Sequence, residues 1–477
     1  MSTRKEYDFV VIGGGPAGQK AAIQAAKSGC RVALVERDRQ IGGACVHRGT
    51  IPSKTLRENV LQLARFRRQA EELGLETVEG NQVSRLLDRL QSVIQAHSRY
   101  MECQLERNGV EHLHGHARFL SPNEVEFMRP SGAVEQLRAR WFVIATGSRP
   151  RNPDNVPVDH EHIYDSDSTL SMMYVPESIT VLGGGVIASE YASILAMLGA
   201  RVVMVDRADR PLRFMEPELT DRFLEQLERQ GGCFIGGATA EAVAWDGLAR
   251  VRCHLDNGEV VETEKVLFAL GRVANTDRLG IENAGVTKTS RGLIEVDEDY
   301  RTAAPNIYAV GDVIGPPALA STSMEQGRQA VGHALGQSVG HLARTIPIGI
   351  FTIPEMASVG LGETALREEL GDAWTGHARF EEIARGQISG IQDGLLKLVA
   401  EPDTGRIRGV HILGEGAPEL IHIGQVAVLK QMVVDEFIEN IFNFPTLAEA
   451  YRVAALDLRE RAGQPAEQRH RRIRGTG

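Results

Sequence analysis

The chain has 477 residues and a formal net charge of −10. This length allows about three domains of roughly 150 residues each, and the acidic balance argues against nucleic acid or an anionic membrane as partner, since both need a concentrated basic surface. The five cysteines are odd in number and lack metal-ligand spacing, and no apolar run reaches the roughly 18 residues of a membrane span. We therefore expect a soluble, cytoplasmic protein without a metal site.

A strand, a glycine-rich turn and an alanine-rich helix open the chain. The turn follows the apolar residues 8–12 and carries Gly13, Gly15 and Gly18 in G-x-G-x-x-G spacing, and a second strand ends at Glu36. Gly13 permits the tight turn, Gly15 lets a pyrophosphate approach the backbone at a helix N-terminus, and Gly18 allows close helix packing. Glu36 would accept hydrogen bonds from a ribose. This full context predicts a dinucleotide site.

The next segment, residues 42–54, reads GGACVHRGTIPSK. It resembles the active-site segment of the flavoprotein disulfide reductases, in which two cysteines stand five residues apart just before I-P-S-K. Cys45 occupies the first cysteine position, but Thr50 occupies the second. Because a threonine hydroxyl cannot form a disulfide, a dithiol cycle within this segment is excluded.

The resemblance implies that the first dinucleotide is FAD. Residues 308–312 resemble the family's Y-A-x-G-D, whose aspartate bonds the ribityl chain, and residues 142–147 resemble the strand that crosses between the flavin and nicotinamide domains. The helix starting near residue 320 would direct its positive end towards the flavin. The positions that would complete the flavin site are Gly42, Gly43, Cys45, Lys54, Gly147, Gly311, Asp312 and Ala320.

The strand–turn–helix–strand unit occurs a second time. Gly183, Gly185 and Ala188 form the turn after residues 179–182, and the following strand ends at Asp206. The offset from the first turn is 170 residues (183 minus 13). Alanine at the third position still permits close helix packing. Two such units predict two dinucleotides, and the natural pair is FAD with a nicotinamide nucleotide.

The choice between NAD and NADP depends on the residues that meet the adenosine ribose. Asp206 favours a free 2′-hydroxyl, whereas Arg207, Arg210 and Arg213 could supply positive charge for a 2′-phosphate. The alternative is that these arginines form an ordinary solvated loop. We hypothesise that the site accepts both nucleotides.

The resemblance also implies a pair of charged residues beside the flavin ring. Glu190 matches the family's acid that pairs with the lysine of I-P-S-K, here Lys54. The lysine would hold positive charge near the ring, and the acid would keep the lysine oriented. The second unit closes with FALGRVANT, residues 268–276, which resembles the family's A-x-G-R-x-P-N-T and adds Gly271 to the cofactor-binding positions.

From residue 346, the last third of the chain predicts strands near residues 395–399 and 407–413 and a helix over residues 418–433. It is similar to the family's interface domain and implies a homodimer. In disulfide reductases this domain supplies a histidine to the partner's cysteines, but Phe444 occupies that position in the stretch of residues 442–449. Phenylalanine cannot exchange a proton, so the general acid/base of dithiol chemistry is missing as well. His47, beside Cys45, is the remaining nearby candidate for that role; otherwise it is an ordinary polar residue.

The pattern C-x-x-x-x-T before I-P-S-K, together with residues 442–457 near the C-terminus, resembles the soluble pyridine nucleotide transhydrogenases. The resemblance covers residues 6–458. The resemblance implies FAD-dependent hydride transfer between NADPH and NAD+, which needs no protein acid or base. Two alternatives remain open. One is an NAD(P)H-dependent reductase of a quinone, a metal ion or oxygen, with Cys45 as a lone redox thiol. The other is a nucleotide-binding flavoprotein without turnover.

The expected fold class is α/β, with two Rossmann-like dinucleotide-binding domains and a C-terminal α+β dimerisation domain. The predicted segments are an FAD-binding domain (1–152), an NAD(P)-binding domain (153–275), a return to the central domain (276–345), an interface domain (346–461) and a basic, disordered tail (462–477).

Overall fold

The computed structural model describes residues 4–75, 82–153, 156–343, 345–391 and 393–462. Two compact units are present: Met1–Tyr174 with Leu267–Leu342, and Val175–Val266 with Ala343–Gly477. Within the described ranges, no helix combines the length and apolarity needed to cross a bilayer. The predicted tail lies outside the described residues except for its first residue, Ala462.

The described residues form runs of strands that are separated by helices. The strands are β1 (Arg4–Ile12), β2 (Val32–Glu36), β3 (Glu111–His114), β4 (His116–Ser121), β5 (Glu124–Met128), β6 (Val134–Ile144), β7 (Ser148–Pro150), β8 (Ile163–Asp165), β9 (Ser178–Leu182), β10 (Arg201–Asp206), β11 (Cys233–Gly236), β12 (Ala240–Trp245), β13 (Val251–Leu255), β14 (Val260–Thr263), β15 (Lys265–Phe268), β16 (Arg272–Ala274), β17 (Ile307–Ala309), β18 (Ile348–Ile350), β19 (Met356–Gly360), β20 (Trp374–Arg379), β21 (Leu395–Ala400) and β22 (Ile407–Leu413). The helices are α1 (Pro16–Lys27), α2 (Gly43–His47), α3 (Thr50–Glu72), α4 (Gln82–Arg107), α5 (Val186–Met197), α6 (Pro217–Arg229), α7 (Ala320–Ala334), α8 (Glu363–Leu370), α9 (Ala384–Ser389), α10 (Ala417–Leu429), α11 (Val434–Glu439) and α12 (Ala450–Ala462).

A seven-stranded sheet forms the core of the first unit. Its order is β3-β2-β1-β6-β5-β4, and β17 also pairs with β6. Strand β1 is parallel to β2 and β6, and its central residues Phe9, Val10 and Val11 are fully buried. Such a continuous apolar run is expected where both faces of a parallel sheet are covered. Helices α1 and α7 approach closely at Gly327, where a Cβ atom would lie 2.2 Å from the Ala17 carbonyl oxygen.

The described residues of the second unit contribute strands to three sheets. Strands β9, β10 and β11 pair in parallel and β12, β13 and β14 antiparallel, while β18-β19-β22-β21-β20 form an antiparallel sheet near the C-terminus. Helix α12 packs against β20 across Gly376, where a Cβ would lie 2.1 Å from the Ala454 carbonyl oxygen. The buried Tyr451 hydroxyl donates to the Leu420 carbonyl at 2.7 Å, which fixes α12 to α10.

The α/β prediction is confirmed, and β21 and β22 confirm the strands predicted near residues 395–399 and 407–413. One helix boundary differs. The sequence predicts a helix over residues 418–433, but α10 ends at Leu429 and α11 begins at Val434. Gln431 has a left-handed backbone with a φ of 54°, which stops the α-helical hydrogen-bond pattern.

Candidate functional site

The first glycine turn has the geometry that its sequence predicts. The Gly13 N–H donates to the Val35 carbonyl at 2.8 Å, and at a φ of 107° a Gly13 Cβ would lie 2.3 Å from the Ala145 oxygen. A Cβ on Gly18 would lie 1.9 Å from the Gly13 oxygen, so only glycine allows this helix-to-strand contact. A Cβ on Gly15, by contrast, would meet no atom within 4 Å. Open space therefore lies beside the N-terminus of α1.

Glu36 holds this turn from the end of β2. Its side chain is 6% exposed, Oε2 accepts a hydrogen bond from the Gly14 N–H at 2.6 Å, and Oε1 accepts from the Asp38 N–H at 2.9 Å. A carboxylate has about four acceptor sites, so these two bonds leave capacity for ribose hydroxyls. The structure thus adds a turn-stabilising role to the predicted ribose-binding role.

The second turn repeats these bonds at the same offset of 170 residues. The Gly184 N–H donates to Asp206 Oδ2 at 2.6 Å, and the Ala208 N–H donates to Oδ1 at 2.8 Å. Gly184 and Asp206 each lie 170 residues after their counterparts, Gly14 and Glu36 (184 minus 14; 206 minus 36). The internal repeat therefore extends from sequence to individual hydrogen bonds.

The remaining residues of the second turn also match the prediction. Gly183 has a φ of 121° and donates to the Val205 carbonyl at 2.8 Å, and a Cβ on Gly185 would meet nothing within 4 Å. Ala188 is completely buried on α5, so its methyl group fits where the first turn requires glycine. Like the first turn, the second leaves open space at a helix N-terminus.

The arginines after Asp206 are not equivalent. Arg210 forms an ion pair with Asp221 of α6, with 3.2 Å between Nη2 and Oδ1. Arg207 and Arg213 are exposed. Asp221 offsets the charge of Arg210, which leaves Arg207 and Arg213 as the better candidates for a phosphate contact.

In the first unit, Cys45 on α2 lies beside Thr50, the first residue of α3. Burial raises the pKa of the Cys45 thiol, and the Thr50 hydrogen bond and the nearby Lys54 charge only partly oppose this effect. Cys45 therefore remains a protonated thiol near neutral pH. Thr50 stands in the place of the second cysteine and contacts the first.

The histidine next to this thiol has a structural contact. His47 Nε2 lies 2.9 Å from the Ile41 carbonyl oxygen. A carbonyl only accepts, so Nε2 must donate its proton in this bond. The Ser98 hydroxyl donates to the same carbonyl at 3.2 Å. This contact gives His47 a structural role at the end of α2, and its role as a replacement base stays a prediction.

The Y-A-x-G-D stretch contacts two side chains that the sequence did not single out, Ser148 and Gln326, and Ser148 in turn contacts Arg272 of the FALGRVANT stretch. The Gly311 N–H donates to Gln326 Oε1 at 2.8 Å, and the Ser148 hydroxyl donates to Asp312 Oδ2 at 2.7 Å. Arg272 in turn donates from Nε to the Ser148 hydroxyl oxygen at 2.8 Å. Ser148 directly follows the Thr-Gly of the predicted crossing strand, and this position is the signal that could have revealed it.

The other predicted positions of the first unit lie at the turns around these contacts. Gly147 has a φ of 67° and its carbonyl accepts from the Asn275 N–H at 2.9 Å; Gly271 has a φ of 99°. Helix α7 begins at Ala320, as predicted. Gly42 donates its N–H to the Gly14 carbonyl at 3.0 Å, which joins the segment of residues 42–54 to the first turn.

In the second unit, Glu190 is 4% exposed, and its Oε1 accepts a hydrogen bond from the Phe351 N–H at 2.9 Å. The Ser193 hydroxyl, one turn along α5, accepts from the Ile353 N–H at 3.1 Å. Lys54 belongs to the first unit and Glu190 to the second, so their pairing remains a prediction. Phe444 is 75% exposed on the single chain.

Comparisons with known proteins identify the family. The sequence pattern described as "Pyridine nucleotide-disulphide oxidoreductase" matches residues 7–327, and the pattern of its dimerisation domain matches residues 346–455. The chain belongs to the pyridine nucleotide-disulphide oxidoreductase family. Members of this family bind FAD and use NAD(P) as substrate, which confirms the predicted cofactor. The dimerisation domain indicates a homo-oligomer.

Relatives within this family cover nearly the whole chain. The soluble pyridine nucleotide transhydrogenase of Erwinia tasmaniensis is 40% identical over 463 residues, covering 96% of this chain and 99% of the relative. The protein of that name from Mycobacterium bovis is 42% identical over 458 residues, covering 95% and 97%. Among solved structures, LpdA from Mycobacterium tuberculosis gives a TM-score of 0.87 at 29% identity, covering 95% of this chain and 99% of that chain. The HOCl-induced flavoprotein disulfide reductase RclA from Escherichia coli gives 0.85 at 26% identity, covering 94% and 99%.

The residues of this family member fit a bound FAD. The open space at Gly15 lies at the N-terminus of α1, where backbone N–H groups attract phosphate. Gly43 borders that space, since its Cβ would lie 3.0 Å from the Gly15 Cα. Side chains larger than hydrogen at these positions would narrow the path of a pyrophosphate. Glu36 and Asp312 supply carboxylates for hydroxyl groups.

Proposed function

We propose that this chain catalyses hydride transfer between NADPH and NAD+, in either direction. The observation that carries the proposal is Thr50, which occupies the second thiol position beside Cys45. Phe444 removes the acid/base as well. Hydride transfer between nicotinamides needs neither group. Support also comes from relatives named soluble pyridine nucleotide transhydrogenase at about 40% identity.

In this proposal the protein supplies orientation and electrostatics. Bound FAD would supply a ring nitrogen that accepts a hydride from one nicotinamide and returns it to another. Lys54 would hold positive charge beside the ring with Glu190 orienting it, and Asp312 would bond the ribityl chain. The N-terminus of α7 at Ala320 adds the positive end of a helix dipole.

The remaining proposed site residues belong to the two dinucleotides. For FAD they are Gly13, Gly15, Gly18, Glu36, Gly42, Gly43, Cys45, Gly147 and Gly311, and for NAD(P) they are Gly183, Gly185, Ala188, Asp206, Arg207 and Gly271. We assign FAD binding to 1–152 with 276–345, NAD(P) binding to 153–275 and dimerisation to 346–461. We further propose that the protein is a cytoplasmic homodimer.

Dual nucleotide use follows from the mixed charge after β10. Asp206 suits the free ribose of NAD, while Arg207 and Arg213 offer positive charge to a 2′-phosphate. The proposal predicts measurable kcat/KM for both NADH and NADPH. A preference above about a thousandfold for one of them, about 4 kcal/mol, would contradict dual use.

The deciding experiment is anaerobic mixing of the FAD-loaded protein with NADPH and a spectrally distinct NAD+ analogue. We expect reduction of the analogue with ping-pong kinetics, because one nicotinamide leaves before the next enters. Lack of analogue reduction despite bleaching of the flavin absorbance by NADPH would overturn the transhydrogenase assignment. A thiolate-to-flavin absorption band that disappears in Cys45→Ser would support the reductase alternative, although the raised pKa of Cys45 disfavours it.

A further inference from the structure

Two consecutive hydrogen bonds link Arg272 through Ser148 to Asp312. Arg272 Nε lies 2.8 Å from the Ser148 hydroxyl oxygen, and that hydroxyl lies 2.7 Å from Asp312 Oδ2. The three residues are far apart in sequence but meet where β7 pairs antiparallel with β16 and the Y-A-x-G-D stretch ends. All three belong to the first compact unit.

The direction of these hydrogen bonds is fixed by chemistry. A guanidinium group only donates, so the Ser148 oxygen must accept from Arg272. The single hydroxyl proton of Ser148 is then available to Asp312, whose carboxylate only accepts. The hydrogen bonds therefore run from the Arg272 guanidinium to the Ser148 hydroxyl and from that hydroxyl to the Asp312 carboxylate, where they occupy one oxygen, Oδ2. The other oxygen keeps its acceptor sites for a different donor.

Arg272 is itself held in place at several points. Its Nη2 donates to the Ser148 carbonyl at 2.9 Å, and its Nη1 contacts Asp167 Oδ1 at 3.2 Å. The side chains of Arg272 and Asp167 are only 23% and 21% exposed. A guanidinium bound by several acceptors loses rotational freedom and presents Nε in a fixed direction. Ser148, contacted on both its hydroxyl and its carbonyl, is fixed with it.

We propose that Ser148 and Arg272 are positioning residues that fix the side-chain orientation of Asp312 and thereby set the affinity for FAD. The inference rests on the proposed contact between Asp312 and the ribityl chain. A carboxylate already held in one orientation pays less entropy on binding a hydroxyl group. Neither Ser148 nor Arg272 needs to touch the flavin for this effect.

The first test compares Ser148→Ala with Ser148→Thr. Apoprotein of each variant is titrated with FAD, and the dissociation constant is read from flavin fluorescence. Loss of a hydrogen bond to a charged group predicts roughly 10- to 100-fold weaker binding for Ser148→Ala. Ser148→Thr keeps the hydroxyl, so its dissociation constant should stay within about threefold of the original. Equal weakening in both variants, or no weakening in Ser148→Ala, overturns the proposal.

The second test asks whether Arg272 acts through Ser148. Arg272→Met should weaken FAD binding in the original chain, but should add less than about twofold to the effect of Ser148→Ala. Additive losses of FAD affinity in the double variant would contradict the proposal that Arg272 acts through Ser148. Arg149→Ala is the matched control, because Arg149 is the next residue of β7 and pairs with Asp277 at 2.6 Å instead. Its FAD affinity should be unchanged, and thermal melting of each apoprotein checks the fold.

Failure of this inference can be distinguished from failure of the proposed function. Suppose that the unsubstituted protein binds FAD but transfers no hydride between nucleotides, and that Ser148→Ala still weakens FAD binding. The positioning role of Ser148 and Arg272 then stands, and the transhydrogenase assignment is wrong. If hydride transfer occurs and Ser148→Ala binds FAD with unchanged affinity, only the positioning role is wrong.

Discussion

At the scale of single residues, burial and the contact with Thr50 act in opposite directions on the pKa of the Cys45 thiol. Burial raises the pKa of Cys45, whereas the Thr50 hydrogen bond lowers it. Thr50→Val removes the hydrogen bond and keeps the side-chain shape, so the pKa of Cys45 should rise further. Alkylation of Cys45 by iodoacetamide at mildly alkaline pH should slow by about three- to tenfold.

Peptide-resolved mass spectrometry separates Cys45 from the other thiols. Cys233, which is exposed on β11 in the other compact unit, serves as the internal control and should react at an unchanged rate. Faster alkylation of Cys45 in Thr50→Val would show that Thr50 does not stabilise the thiolate.

Also at the residue scale, Arg207 and Arg213 should control the use of NADPH. Removal of both (Arg207→Ala with Arg213→Ala) should lower kcat/KM for NADPH by roughly tenfold or more, because charged contacts to phosphate are among the stronger hydrogen bonds. The value for NADH should change by less than about threefold. Arg210→Ala is the matched control, since Arg210 already pairs with Asp221. Equal losses for both nucleotides would point to a structural effect.

At the scale of secondary-structure elements, a buried lysine joins α6 and α8 to the C-terminal sheet. Lys397 on β21 is 3% exposed, and its Nζ lies 2.8 Å from Glu216, 3.2 Å from Glu218 and 2.6 Å from Glu363. Burial alone would lower the pKa of Lys397, but the three carboxylates raise it overall. The lysine therefore stays charged and neutralises part of a carboxylate cluster.

Lys397→Met should destabilise the fold by about 3–5 kcal/mol, because it leaves buried carboxylates uncompensated. Urea unfolding measures the loss. The control is Arg252→Ala, which breaks an ion pair with Glu262 whose side chains are 51% and 46% exposed and should cost less than about 1 kcal/mol. Similar losses in the two variants would argue that burial gives Lys397 no special weight.

The same region predicts how stability depends on pH. Burial raises the pKa of Glu218, but contacts with His377 and Lys397 lower it overall to about 2. Burial lowers the pKa of His377, but Asp457 and Glu218 raise it overall above 6.5. Glu218 thus stabilises the fold above its ordinary pKa of 4.5, and this contribution is lost as the pH falls towards 2. His377 stabilises it below pH 6.5, and this contribution is lost as the pH rises through the raised pKa.

The contributions of Glu218 and His377 to the free energy of unfolding are therefore both fully present only between pH 4.5 and 6.5. Burial lowers the pKa of the neighbouring His411, so that residue opposes the His377 contribution below pH 6.5. Glu218→Gln should flatten the acidic side, and His377→Gln should flatten the side above pH 6.5. Denaturant unfolding of the FAD-free chain over a pH series measures both slopes. An unchanged profile in His377→Gln would mean that other groups determine the alkaline slope.

At the scale of the whole molecule, the C-terminal third carries large apolar side chains at the surface of the single chain. Ile441 is 94% exposed and Phe444 75% exposed, and both lie in the range that matches the dimerisation domain. Ile441→Glu should weaken self-association by placing a charge in an apolar contact. Leu248→Glu is the control, because Leu248 is 87% exposed but lies between β12 and β13. Sedimentation velocity should show more monomer only for Ile441→Glu; the same distribution for both variants would exclude Ile441 from the interface.

The sequence could predict the two glycine turns and the segment of residues 42–54, because each depends on neighbouring residues. For the same reason it could predict that Thr50 and Phe444 replace the second cysteine and the histidine of dithiol chemistry. Gly13 and Gly183, for example, have the positive φ angles that their turns require. The start of α7 at Ala320 was also predictable. The end of α10 was not, because the left-handed conformation of Gln431 has no strong signal in a residue other than glycine or asparagine.

The sequence by itself predicted two dinucleotide sites and excluded a dithiol cycle within residues 42–54, since these conclusions follow from local backbone demands and from the chemistry of Thr50. Only the tertiary structure decided which side chains support the site. Ser148 reaches Asp312 across 164 residues of sequence and meets Arg272 across 124. Such contacts depend on strand register and on side-chain direction in the folded sheet, and no short stretch of sequence encodes either.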